Sequence, residues 1–101
     1  TVSVWGDGNR KIQYIYIGDL IKYLISDKKF IGIYNLGGEK HIKTVYMSKL
    51  ICNYFGSKTI FLKNKKEDET LCFMNTNKIK KKTKNYFINF EKNLIKYLKT
   101  I

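Results

Sequence analysis

The sequence predicts a small α/β domain in which short strands alternate with three to four helices. Three observations carry that prediction: brief runs of β-branched and aromatic residues, stretches whose apolar residues recur at helical spacing, and glycines at the joins between them. The segment Gly32-Ile-Tyr-Asn-Leu-Gly-Gly38 stands at the centre. Gly32 opens a run of strand-forming and apolar residues, and Gly37-Gly38 closes it where only glycine gives the backbone such freedom cheaply. It reads as a short buried strand around which the other elements pack. At 101 residues the chain is expected to be a single domain, 1–101, large enough to bury roughly 60–65% of its unfolded surface.

The remaining elements follow in order. Val2 and Val4 alternate briefly, and Trp5-Gly-Asp-Gly8 makes a turn. Residues 12–17, Ile-Gln-Tyr-Ile-Tyr-Ile, read as a strand. Asp19 has the position of an N-cap, with Leu20, Ile21, Leu24 and Ile25 at helical spacing behind it, and this helix should stop near Ser26-Asp27. Residues 42–44 lead into a second helix whose inward face is Met47, Leu50, Ile51, Tyr54 and Phe55, with Gly56 as its C′ residue. Ile60-Phe61-Leu62 is the next strand and Lys63 to Thr70 a polar loop. Residues 77–82 form a short basic helix, and Asn89 caps a last helix carrying Phe90, Leu94, Tyr97, Leu98 and Ile101 on one face.

A net charge of +12 invites an anionic partner. Of the 20 basic residues only Arg10 is arginine, and alanine and proline are absent while Ile, Asn, Lys and Tyr abound. That is the bias of AT-rich coding sequence, so most of the lysine reads as solvated surface. No apolar run approaches the ~20 residues that cross a bilayer, and no segment resembles a signal peptide; the expected compartment is the cytosol, with no membrane partner. Cys52 and Cys72 stand twenty residues apart beside a lone His41, which is the pattern of two reduced thiols and a surface histidine and not of a zinc site.

Two partial motifs are rejected. Gly6-Asp-Gly8 lacks the third glycine of a dinucleotide fingerprint and precedes a strand where a helix is needed. Tyr54 and Lys58 have YxxxK spacing, but Gly56 ends the helix between them. No catalytic residue is assigned to this chain.

Several segments in one order nevertheless resemble the C-terminal, substrate-binding portion of the NAD-dependent epimerase/dehydratase family, the extended short-chain dehydrogenases acting on nucleotide sugars. They are Gly6-Asp-Gly8, Tyr14-Ile-Tyr-Ile-Gly-Asp19-Leu, Ile33-Tyr-Asn-Leu-Gly37-Gly38, Ile42 to Gly56 ending in Phe-Gly, and Asn75-Thr-Asn-Lys78-Ile followed by Asn89-Phe-Glu-Lys-Asn-Leu94. The resemblance implies the smaller lobe of a two-lobe enzyme. The Rossmann half, which would bind NAD or NADP and carry the Tyr/Lys pair, is absent from these 101 residues. It also implies a nucleotide diphosphate sugar as ligand, and a possible homodimer of the full-length protein.

Carried over residue by residue, the resemblance assigns substrate binding to Arg10, Tyr14 and Lys66. Arg10 follows the second glycine by two, Lys66 falls where the family has an arginine, and Tyr14 is the aromatic after the turn. The chain departs from the family at Ile12, at Lys66, at Gly18 before Asp19, and at Asn75 in place of an aspartate. Lysine neutralises a phosphate without forking onto it. Two rivals are a small basic nucleic-acid-binding domain and a catalytically silent interaction domain. The shortage of arginine, and the lack of aromatics interleaved with the lysines at 78, 80, 81, 82 and 84, argue against nucleic acid.

Overall fold

A computed structural model describes residues 1–26, 30–68, 72–83 and 89–101. Asp27, Thr70 and Lys84, which figure in the expectations above, lie outside the described residues. The order is β1 (Val2–Trp5), β2 (Lys11–Ile12), α1 (Ile17–Leu24), β3 (Ile42–Lys43), α2 (Thr44–Phe55), β4 (Thr59–Leu62), α3 (Asn77–Lys82) and α4 (Phe90–Leu98), an α/β chain. It divides into two compact units, each assembled from two separate stretches: residues 1–12 with 41–72, and residues 13–40 with 73–101.

In the first unit β1 and β4 pair in parallel, Val2 opposite Thr59 and Trp5 opposite Leu62. Parallel neighbours need a crossover, and α2 supplies it. Val4, Ile42 and Cys52 form the core. The helix ends as the sequence predicts, with Gly56 in the left-handed region at φ 64° and its N–H donating to the Cys52 carbonyl. Its buried face differs in part. Ser48 and Cys52 point inward, where Thr59 Oγ1 on β4 bonds Ser48 Oγ at 2.8 Å and lies 3.4 Å from Cys52 Sγ, whereas Tyr54 and Phe55 are exposed. Met47, Leu50 and Ile51 of the predicted face are half-buried, and the fully buried line of the helix runs beside them through Ser48 and Cys52. β2 and β3 pair antiparallel with Lys11 directly opposite Lys43, an unfavourable like-charge pair.

The second unit holds α1, α3 and α4, with Ile79, Leu94 and Leu98 buried. The predicted strand over 12–17 shrinks to its first residue, Ile12 in β2. Beyond it the Gln13 side chain takes the place of a ladder partner: Nε2 donates to the carbonyls of Gly38 and Met74 at 3.1 and 3.2 Å, and Oε1 accepts from Met74 N–H at 2.7 Å. The expected central strand does not form either. Residues 33–38 have no ladder partner among the described residues, and Ile31 and Ile33 are 79% and 86% exposed. Gly37 and Gly38 are buried as expected; a Cβ on Gly38 would collide with the Tyr14 carbonyl oxygen.

Asp19 is not the N-cap of α1. Tyr16 occupies that position, its carbonyl accepting from the N–H groups of Asp19 and Leu20 at 3.0 and 3.2 Å. Asp19 instead sits in the first turn, where a negative charge suits the helix dipole, and is 6% exposed with Oδ2 accepting from Asn93 Nδ2 of α4 at 2.9 Å. Ending near Ser26 is as predicted, but Ile17, Ile21, Leu24 and Ile25 make an outward apolar stripe. Helix α3 spans the predicted residues. In α4, Asn89 Oδ1 caps by accepting from Lys92 N–H, Leu94 and Leu98 are buried, and Tyr97 and Ile101 are exposed.

Burial holds the Tyr23 phenol above the ordinary tyrosine range, helped by the nearby Asp19 charge, while a hydrogen bond with Thr83 pulls the other way. Because the folded value lies above the unfolded one, this contribution to stability is complete below the ordinary tyrosine range. It is lost as pH rises through the titration of Tyr23 itself. Urea midpoints measured from neutral to strongly alkaline pH should therefore fall more steeply for the wild-type chain than for Tyr23→Phe. Parallel pH profiles for the two proteins would refute the assignment.

A candidate anion-binding corner in the first unit

The corner begins where β1 runs out. Gly6 and Gly8 both take positive φ, 59° and 70°, which lets the chain reverse within three residues. Gly6 N–H donates to the Leu62 carbonyl at 3.1 Å and Gly8 N–H to the Trp5 carbonyl at 3.3 Å. The start of α2 braces the same loop, Val45 N–H donating to the Gly8 carbonyl and Thr44 N–H to the Arg10 carbonyl, each at 2.9 Å. After β4, the 63–68 loop returns to it. Glu67 accepts from the backbone N–H groups of Asn9 and Arg10 at 2.9 and 3.1 Å, so one carboxylate ties the glycine turn to the lysine loop.

Gly6, Asp7, Lys65, Lys66 and Glu67 line a shallow depression of about 400 Å³. Both acids in it are engaged: Asp7 pairs with Lys63, and Glu67 holds the two amides. Lys65 Nζ stands 5.9 Å from the centroid of the Trp5 ring. The exposed Lys65 and Lys66 thus border the depression, beside one acid paired with Lys63 and one hydrogen-bonded to two amides. Such a corner can attract and neutralise an anion. Nothing in it supplies a nucleophile with an adjacent base.

Of the three residues singled out in the sequence, Arg10 and Lys66 belong to this unit: the backbone amide of Arg10 is held by Glu67, and Lys66, the residue before that acid, lines the depression. Tyr14 belongs to the second unit, where its half-buried ring packs against Phe90 with centroids 5.9 Å apart. Sequence reasoning missed Glu67 and Lys65. The only available signal was an acidic residue in a basic loop, and the bond it makes spans 58 positions.

A dinucleotide does not fit the glycine turn. β2, not a helix, follows Gly8, so no helix N-terminus stands behind the glycines. Nor is Lys58 a turn below Tyr54, since α2 has ended at Phe55. Among the described residues no group of three His, Cys, Asp or Glu could hold a metal ion, and no helix is long and apolar enough to cross a membrane. Comparison with protein-family models, with curated proteins and with solved structures finds no match.

Proposed function

We propose that the chain is the substrate-binding lobe of an NAD(P)-dependent nucleotide-sugar epimerase, dehydratase or reductase, in which Arg10 and Lys66 neutralise the substrate diphosphate. The observation that carries this reading is the Glu67 clamp, which joins the glycine turn to the lysine loop and leaves cations around a depression whose acids are already bonded. The order of the family-like segments supports it. So does the outward stripe Ile17, Ile21, Leu24 and Ile25, which on this reading faces the Rossmann lobe. The reaction class is hydride transfer from a sugar carbon to the nicotinamide of NAD or NADP, held by that other lobe. This chain's part is to anchor the remote diphosphate so that the reacting carbon is fixed in place.

The test is a titration of the isotope-labelled 101-residue chain with UDP, UDP-glucose and their guanosine and thymidine counterparts, followed by amide chemical shifts. Shifts are expected at residues 6–10 and 65–67. Charge-assisted bonds contribute about 1.5–3 kcal/mol each, so the Arg10→Ala/Lys66→Ala double variant should bind at least about tenfold more weakly. Absence of shifts in these two segments with every ligand would overturn the proposal.

A further inference from the structure

The lysines of α3 lack aromatic neighbours in the sequence, but the fold supplies them. Phe30 and Tyr34 lie more than forty positions earlier in the chain and belong to the same unit. Their rings meet edge to face, centroids 5.3 Å apart, and Tyr23 stands edge-on to Phe30 at 6.4 Å. Lys78 Nζ sits 4.5 Å from the Tyr34 centroid and donates to the Ile33 carbonyl at 2.8 Å. Lys82 Nζ lies 5.3 Å from the Phe30 centroid and 5.9 Å from that of Tyr34. Lysines of a merely solvated helix face would extend into water. Here two of them fold back over one aromatic pair.

We infer that this face, formed by Phe30, Tyr34, Lys78, Lys81 and Lys82, binds single-stranded nucleic acid through its sugar-phosphate chain. Lys78 and Lys82 are four residues apart on α3, hence about 6 Å along its axis on the same side. Both ammonium groups are preoriented by cation–π attraction above a ring floor, and exposed Lys81 adds a third positive charge. Among the described residues, Glu39 is bonded to Lys80 at 3.2 Å, which removes one lysine from the count. Convergent cations with aromatic rings between them are what an unpaired strand uses: phosphates meet the cations and splayed bases meet the rings. A duplex would satisfy the cations alone, since its bases are stacked away from the rings. A bilayer calls for exposed apolar side chains that reach past the charges, whereas Phe30 and Tyr34 are half-buried.

The experiment is fluorescence anisotropy of a labelled single-stranded oligothymidine, its duplex, and vesicles containing phosphatidylserine, each against the full 101-residue chain over a range of salt. Single strands are expected to bind more tightly than duplex or vesicles. Lys78→Gln/Lys81→Gln/Lys82→Gln should weaken binding at least about tenfold at low salt and reduce the log–log salt slope by about 2, the value for three lost phosphate contacts. The control Lys11→Gln/Lys43→Gln/Lys49→Gln removes the same charge from exposed positions of the other unit, including the opposed pair Lys11 and Lys43, and should change binding less than about threefold. Amide shifts of the wild-type chain with the oligonucleotide, expected at 30–34 and 78–82, keep the inference testable if the triple variant does not fold. Equal losses from the two triples, preference for duplex or vesicles, or shifts centred elsewhere would each overturn it. Arg10 and Lys66 are untouched in every variant, so this result and the nucleotide-sugar titration fail or succeed independently.

Discussion

Replacing Ile79 by alanine is expected to destabilise the protein by about 2–5 kcal/mol. Ile79 is 1% exposed, the most completely buried large side chain among the described residues, and it sits in the middle of α3. A helix of six residues cannot hold itself together in water, so α3 persists through tertiary contacts, of which Ile79 supplies the buried apolar one. Truncation removes three carbons' worth of transfer energy and leaves a void that the surrounding backbone fills only in part. The native state of a small domain is separated from the unfolded one by about 5–15 kcal/mol, so the loss is a large share of the whole. Urea denaturation followed by circular dichroism checks it. A midpoint within experimental error of the wild type would mean that α3 is not held by its apolar contact. The same variant should scatter the lysines that α3 presents over Phe30 and Tyr34.

The second large effect is expected at Gly8. Its φ of 70° is one that an L side chain tolerates poorly, at about 1–2 kcal/mol. A Cβ there would also lie 2.7 Å from Val45 Cβ and 2.8 Å from Val4 Cγ1, closer than packed atoms allow. Val4 is in the core and Val45 is in the first turn of α2, so neither can retreat without moving an element. Strain and overpacking together should make Gly8→Ala cost about 2–5 kcal/mol. Gly56→Ala is the informative contrast. Gly56 has a similar φ of 64° but open space around the would-be Cβ, so only the backbone term of about 1–2 kcal/mol applies. Equal losses at the two positions would show that crowding against Val4 and Val45 contributes nothing.

Element type and placement were written in the sequence wherever local chemistry decides them. The left-handed cap at Gly56, the turn at Gly6 to Gly8, strand β4, the basic helix α3 and the Asn89 cap all follow from residues within a few positions of one another. Arg10 and Lys66 were likewise legible as cations at particular places. What joins them was not, because the Glu67 bond to Asn9 spans 58 residues and a carboxylate in a lysine loop carries no mark of the partner it will choose.

Tertiary structure decided the faces, and it did so through polar contacts that periodicity ignores. The hydroxyl of Thr59 bonds Ser48 on the side of α2 where Ser48 and Cys52 are buried, while Phe55 faces outward. Asp19, suited by type to an N-cap, is drawn into the first turn of α1, where the amide of Asn93 meets its carboxylate. The side chain of Gln13 takes up the carbonyls of Gly38 and Met74, and residues 33–38 find no ladder partner among the described residues. Phe30 and Tyr34 reach Lys78 and Lys82 only when the chain folds back on itself. Short-range sterics and capping determine which elements form; satisfying buried polar groups and pairing distant charges with rings determines what each element shows to water.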